Sequence, residues 1–155
     1  MKKVSIKSQD YNRYYKQLIL KKIGVVGQKK IFNSKVLIIG AGGLGCPLIL
    51  YLAYSGIGHL GIVDHDKIES SNLSRQILFT EKDIGKYKSI ISSKAVKKIN
   101  KNIVVNIFKK KIDKNNINQI AKNYQIICDG TDNFKTRYII NDYCIKNKKV
   151  LISSA

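Results

Sequence analysis

Proline occurs once, at Pro47, and the chain contains no internal repeat and no low-complexity linker. Nothing divides the 155 residues, which suit one domain with one core. Long apolar runs are missing as well. Stretches such as Val36 to Ile39 are far too short to cross a bilayer. Met1-Lys2-Lys3 is followed by polar residues, so no apolar signal core is expected. Only three cysteines occur, Cys46, Cys128 and Cys144, with no C-x-x-C pair. That excludes a disulfide framework and a four-cysteine zinc site within the chain. Each falls in an expected strand or helix and reads as a small buried hydrophobe rather than a nucleophile. The expectation is a cytoplasmic domain with no membrane partner.

Arginine is the next scarcity. Of 29 basic residues only Arg13, Arg75 and Arg137 are arginine, and the other 26 are lysine. The net charge of +19 invites a nucleic-acid partner. However, lysine, isoleucine and asparagine together fill 65 of the 155 positions, and all three use A/T-rich codons. A biased genome thus explains the charge, and the lysines are scattered rather than gathered on one patch. No nucleic-acid partner is expected. Against that background each arginine marks a place where a planar fork is needed.

What is present is an alternation of elements. Tyr11, Tyr14, Tyr15, Leu18 and Ile19 recur at helical spacing over Asp10 to Leu20, with Asp10 as a candidate N-cap, and a shorter helix is expected over Gln28 to Phe32. Strands are expected at Lys35 to Ile39, His59 to Val63, Ile103 to Phe108, Gln125 to Cys128 and Val150 to Ser153. Between them helices are expected with Pro47 in the first turn and an end at about Ser55, then near Tyr87 to Ile99, at Asn115 to Ala121 and from Phe134 to about Ile145. Lys67 to Asp83 shows no period and reads as a long functional loop. The fold class is α/β, a mainly parallel sheet with helices on both faces, preceded by N-terminal helices. In such folds ligands bind beyond the carboxyl ends of the strands.

Three clusters fall at those ends. Gly40-x-Gly42-x-x-Gly45 follows a strand and opens a helix, the setting in which a bare backbone approaches phosphates. Asp64, closing the second strand, suits ribose hydroxyls. The glycines alone do not separate NAD from ATP. Asn72, Arg75 and Gln76 add amide and guanidinium donors suited to phosphoryl or nucleotidyl transfer, and Lys88 adds a cation, although any one lysine here also reads as a solvated charge. Asp129 and Asp132 bracket Gly130-Thr131 and suit magnesium, while Thr131 or Asp132 would equally serve as a helix N-cap. His65, between two aspartates, reads as a surface-loop histidine, and His59 as structural.

Taken together, Arg13 to Gln17, Gly27-Gln28, Gly40 to Gly45, Asp64-His65-Asp66, Ser71 to Gln76, Gly85-x-x-Lys88, Asp129 to Asn133 and Arg137 make the chain recognisable. It resembles the adenylyltransferases that activate ubiquitin-like sulfur-carrier proteins in thiamine and molybdopterin biosynthesis, relatives of the ubiquitin-activating enzymes. The resemblance implies a Rossmann-like domain, ATP and magnesium as cofactors, and a carrier partner ending in Gly-Gly. Gly42 and Gly43 would line the nucleotide and Asp64 would bind its ribose. Asn72, Arg75 and Lys88 would contact phosphates, and Asp132 would coordinate magnesium. A homodimer partner would bring a first-helix residue, here Lys16, onto the phosphates. Family members continue well past the final strand, so residues 1–155 would be a nucleotide-binding adenylation domain without the carrier-binding portion. The alternatives are a degenerate or partial nucleotide-binding module and an NAD-dependent oxidoreductase.

Overall fold

The computed structural model describes residues 6–154. The charged start of the chain and Ala155 lie outside the described residues. Two helices come first, α1 (Ser8–Leu18) and α2 (Gly24–Asn33), followed by β1 (Lys35–Ile39), α3 (Gly45–Ser55), β2 (His59–Val63), α4 (Lys88–Ile99), β3 (Val104–Phe108), α5 (Ile117–Ala121), β4 (Ile126–Asp129), α6 (Phe134–Lys146) and β5 (Val150–Ser153). The five strands form one sheet in the order β3-β2-β1-β4-β5, and every neighbouring pair is parallel. Among the described residues no helix is long and apolar enough to cross a membrane.

The unbroken apolar run in β1 follows from burial on both faces. Leu37 and Ile39 point to a core with Ile127, Ile117, Ile140 and Tyr143, roofed by α5 and α6. Val36 and Ile38 point the opposite way, to Leu60, Ile62, Ile49 and Val96, roofed by α3 and α4. In register, Ile38 stands between Ile62 of β2 and Cys128 of β4. Cys46, Cys128 and Cys144 are all free and buried, as expected.

Strand order sets where a ligand can sit. From β1 the chain moves outward through β2 to β3, then returns to place β4 and β5 on the other side of β1. The connections part between β1 and β4 and leave a crevice at their carboxyl ends.

The N-terminal helix departs from the sequence reading. Asp10 is not the cap of α1 but its third residue, where Oδ2 accepts from the Lys7 backbone N–H at 2.8 Å. Of the apolar stripe on α1 only Tyr14 is buried, edge-on against Phe32 at 5.1 Å between ring centroids. Tyr11, Tyr15 and Ile19 stay exposed, because α1 rests on its neighbours through one narrow line and nothing else among the described residues covers it.

Candidate functional site

An open cleft of about 910 Å³ lies over the crevice. It is lined by the ends of β1, β2, β3 and β4, the start of α3 and the loop before α4. Gly40, Gly42, Gly43, Asp64, Asn72 and Arg75 all line it, as do Gln76, Lys88 and Asp132. Gly45 and Lys16 do not.

The glycines divide by role. A Cβ on Gly45 would stand 2.0 Å from the Gly40 carbonyl oxygen, so Gly45 lets α3 press against the end of β1. Gly42 and Gly43 are different. A Cβ on either meets nothing closer than an ordinary contact: Gln76 Nε2 at 3.8 Å for Gly42, and the Arg75 stem at 3.7 Å and its carbonyl oxygen at 3.9 Å for Gly43. These two leave bare backbone beside the N-terminus of α3, where N–H groups and the helix dipole favour an anion.

Asp64 joins β2 to the glycine turn. Its Oδ2 accepts from the Ala41 N–H at 2.8 Å and its Oδ1 from the Asp66 N–H at 2.8 Å. Burial raises its pKa, partly countered by those two N–H groups and by Lys88. Each oxygen keeps a further lone pair for a ligand hydroxyl.

The loop after β2 is ordered by two short 3₁₀ turns, Ser70–Asn72 and Glu81–Asp83. Asn72 is buried; its Oδ1 accepts from the Glu69 N–H at 3.2 Å and its Nδ2 donates to Ser71 Oγ at 3.5 Å, which leaves one amide N–H for the cleft. Gln76 is 3% exposed and its Oε1 has no partner. A buried orphan of this kind at a cleft wall calls for a ligand or ordered water. Arg75 is exposed, with Nη1 donating to the Ser71 carbonyl at 3.1 Å and its stem lying over Gly43.

Lys88 is not the solvated charge that a lone lysine here would be. Its side chain is 9% exposed, and Nζ stands 3.2 Å from Asp66 Oδ2.

The two acids after β4 separate sharply. Asp129 is committed: Oδ1 accepts from the Thr131 N–H and Oγ1 at 2.9 and 2.7 Å, and Oδ2 accepts from Ser153 Oγ at 3.2 Å. Asp132 is exposed at the cleft, and its carboxylate forms no hydrogen bond or ion pair among the described residues, so only it remains for a cation. The N-cap of α6 is neither Thr131 nor Asp132 but Asn133, whose Oδ1 accepts from the Thr136 N–H at 3.1 Å. Arg137 holds this turn in place through Nε and Nη2, which donate to the Thr131 carbonyl at 3.0 and 2.6 Å.

Asp64, His65 and Asp66 bring their ligating atoms within 4.8 Å of one another. Their hydrogen bonds to Ala41, Asp66 and Lys88 explain that cluster without an ion. Cys46, next to the glycine turn, has its thiol pushed up to about 11 by burial, so it is no thiolate nucleophile at neutral pH.

Residues that the sequence did not single out complete the wall. Lys110 and Lys111 follow β3, and Lys67 follows β2. With Arg75, Lys88 and Arg137 they set six cations against Asp64, Asp66, Glu69 and Asp132. The balance favours an anion.

A parallel α/β sheet of this strand order, with its cleft at the switch point and a glycine turn below it, defines a Rossmann-like domain. The ThiF family profile matches residues 14–155. The chain belongs to the ThiF family. Over 147 residues it is 48% identical to a probable molybdopterin-synthase adenylyltransferase of Porphyra purpurea, covering 95% of this chain and 38% of that protein. Over 155 residues it is 45% identical to the adenylyltransferase and sulfurtransferase MOCS3 of Dictyostelium discoideum, covering 100% of this chain and 36% of that protein. Among solved structures, Escherichia coli MccB with AMPCPP and MccA matches at 31% identity and a TM-score of 0.83, over 94% of this chain and 44% of that one. The chain thus spans well under half the length of these relatives.

Proposed function

We propose that residues 1–155 form the nucleotide-binding adenylation domain of an enzyme that activates a ubiquitin-like sulfur carrier in the cytoplasm. The reaction joins the carrier's C-terminal glycine carboxylate to the α-phosphate of ATP, giving an acyl-adenylate and pyrophosphate. The observation that carries this reading is the convergence of bare Gly42–Gly43 backbone, Arg75 and Lys88 on one cleft, with the uncommitted Asp132 on its wall. The names of the relatives favour a carrier of the molybdopterin type over one of the thiamine type.

Each residue has a task in that reaction. The α3 N-terminus, with Gly42 and Gly43, receives the phosphates at close range. Asp64, fixed by Ala41 and Asp66, accepts from the ribose hydroxyls. Asn72 donates a hydrogen bond to the phosphates, and Arg75 and Lys88 neutralise their charge, without which two anions do not approach each other. Gln76 places its orphan amide against the nucleotide. Asp132 would hold magnesium, which supplies charge neutralisation on the phosphate oxygens. Lys16 is remote from the cleft of its own chain, on the exposed face of α1 beside Tyr15. A homodimer that covers Tyr11, Tyr15 and Ile19 would carry it to the partner's phosphates. A carrier's flexible tail must also be ordered, which takes several kcal/mol of interface contacts. By resemblance that surface belongs to the part of the family protein after the stretch matched here, so the 155-residue chain alone should bind ATP yet activate a carrier slowly.

Calorimetric titration with ATP and magnesium, and separately with NAD, tests the reading. Binding of ATP alone is expected. Tight NAD binding with none for ATP would replace it with the oxidoreductase reading.

A further inference from the structure

Lys88 occupies an unfavourable place. It is the first residue of α4, so its ammonium stands at the positive end of the helix dipole, and its side chain is 9% exposed. A buried cation there needs a fixed counter-charge. The carboxylate in direct contact is that of Asp66, with Oδ2 at 3.2 Å from Nζ, while the Asp64 carboxylate acts on the ammonium from farther off. Asp66 also holds the lysine by its main chain, because the Lys88 N–H donates to the Asp66 carbonyl at 3.0 Å. Asp66 is itself fixed through its N–H to Asp64 Oδ1 at 2.8 Å, and Asp64 is fixed to the glycine turn through Ala41.

We propose that Asp66 is a positioning residue, whose carboxylate holds the Lys88 ammonium at the cleft wall, aimed at the phosphates of the nucleotide. The second half of this statement rests on the adenylation reading, and the first does not. The pair is asymmetric: the Asp66 side chain is 53% exposed, so the acid contributes little to global stability. Its effect is local. The lysine stays in one rotamer beside the cleft before any phosphate arrives, so less ordering remains to be done on binding.

Asp66→Asn preserves the backbone links and removes only the charge. The expected results are an unchanged unfolding midpoint and an affinity for magnesium-ATP weakened about tenfold, within the coupling range of contacting residues. Asp66→Glu should recover part of the loss. In a Lys88→Ala background Asp66→Asn should weaken binding no further. A full, undiminished loss in that background overturns the proposal. A second readout needs no nucleotide: labelling of Lys88 by a limiting amine-acylating reagent, followed by peptide mass spectrometry with the exposed Lys98 as the internal reference. Asp66→Asn should raise Lys88 labelling several-fold, while Asp83→Asn, remote from the cleft, should leave it unchanged. Unaltered Lys88 labelling in Asp66→Asn overturns the proposal. If labelling rises but the wild-type chain binds no ATP, the hold on Lys88 stands and the adenylation reading falls.

Discussion

Replacing single glycines by alanine along one turn should separate folding from ligand binding. A Cβ at position 45 would lie 2.0 Å from the Gly40 oxygen and 2.9 Å from its carbonyl carbon, both backbone atoms that no rotamer change can move. An ordinary contact needs about 3.5 Å. Gly45→Ala must therefore shift the start of α3 by more than about 1 Å against the core that holds Cys46, Ile49 and Ala53. Overpacking of this kind costs about 1–3 kcal/mol, more than the roughly 1 kcal/mol that alanine gains over glycine in a helix. Gly43→Ala differs. Its Cβ would meet the Arg75 stem at 3.7 Å, an ordinary contact, and the backbone there lies outside the left-handed region. That substitution should leave stability unchanged or raise it by about 0.5 kcal/mol through the unfolded chain. Its methyl group would stand where a phosphate must approach, so ATP affinity should fall about tenfold or more. Urea unfolding followed by circular dichroism, paired with ATP calorimetry, reads both quantities. Equal stability losses in the two variants, or Gly43→Ala binding ATP as tightly as the parent, would refute the division of roles.

Arg75→Ala should slow carrier adenylation by about 10²-fold, the scale of a lost electrostatic contact in the transition state. An unaltered pyrophosphate-exchange rate in the folded variant would remove Arg75 from the reaction. His59, at the start of β2, has its pKa lowered by burial and by Lys35. The unfolded chain thus takes up the proton first as pH falls, and stability should decline as the pH drops below the ordinary histidine pKa of about 6.5. His59→Gln should flatten that decline, and parallel pH curves for the two proteins would contradict it.

The sheet was largely legible in the sequence: β1, β2 and β4 are buried and read as short apolar runs, β5 is apolar although mostly exposed at the sheet edge, and β1, β2 and β5 fall on the expected residues. The crevice followed from alternation alone, since parallel strands carry their connections at fixed ends. Side-chain partnerships were less legible. The cap at Asn133 lies one residue beyond the expected candidates, since Asp129 had already taken the Thr131 hydroxyl. Burial of Lys88 depends on Asp66, 22 residues away, a separation that no local pattern records. Lys110 and Lys111 were hidden by composition, because in a chain with 26 lysines two more carry no contrast. Their one usable signal was position, directly after a strand of the parallel sheet. The helical spacing of Tyr11, Tyr15 and Ile19 left their exposure open, because periodicity shows that a face is apolar and not what covers it.

In the proposed reaction this cleft joins a nucleotide to a carrier's terminal carboxylate. Carrier-dependent ATP–pyrophosphate exchange measures that step directly, first on the 155-residue chain and then with the C-terminal portion of a family member supplied. Slow exchange is expected from the chain alone, faster exchange with the added portion, and none when the carrier's terminal Gly-Gly is removed. Exchange that ignores the carrier, or none in either form despite ATP binding, would contradict that reaction.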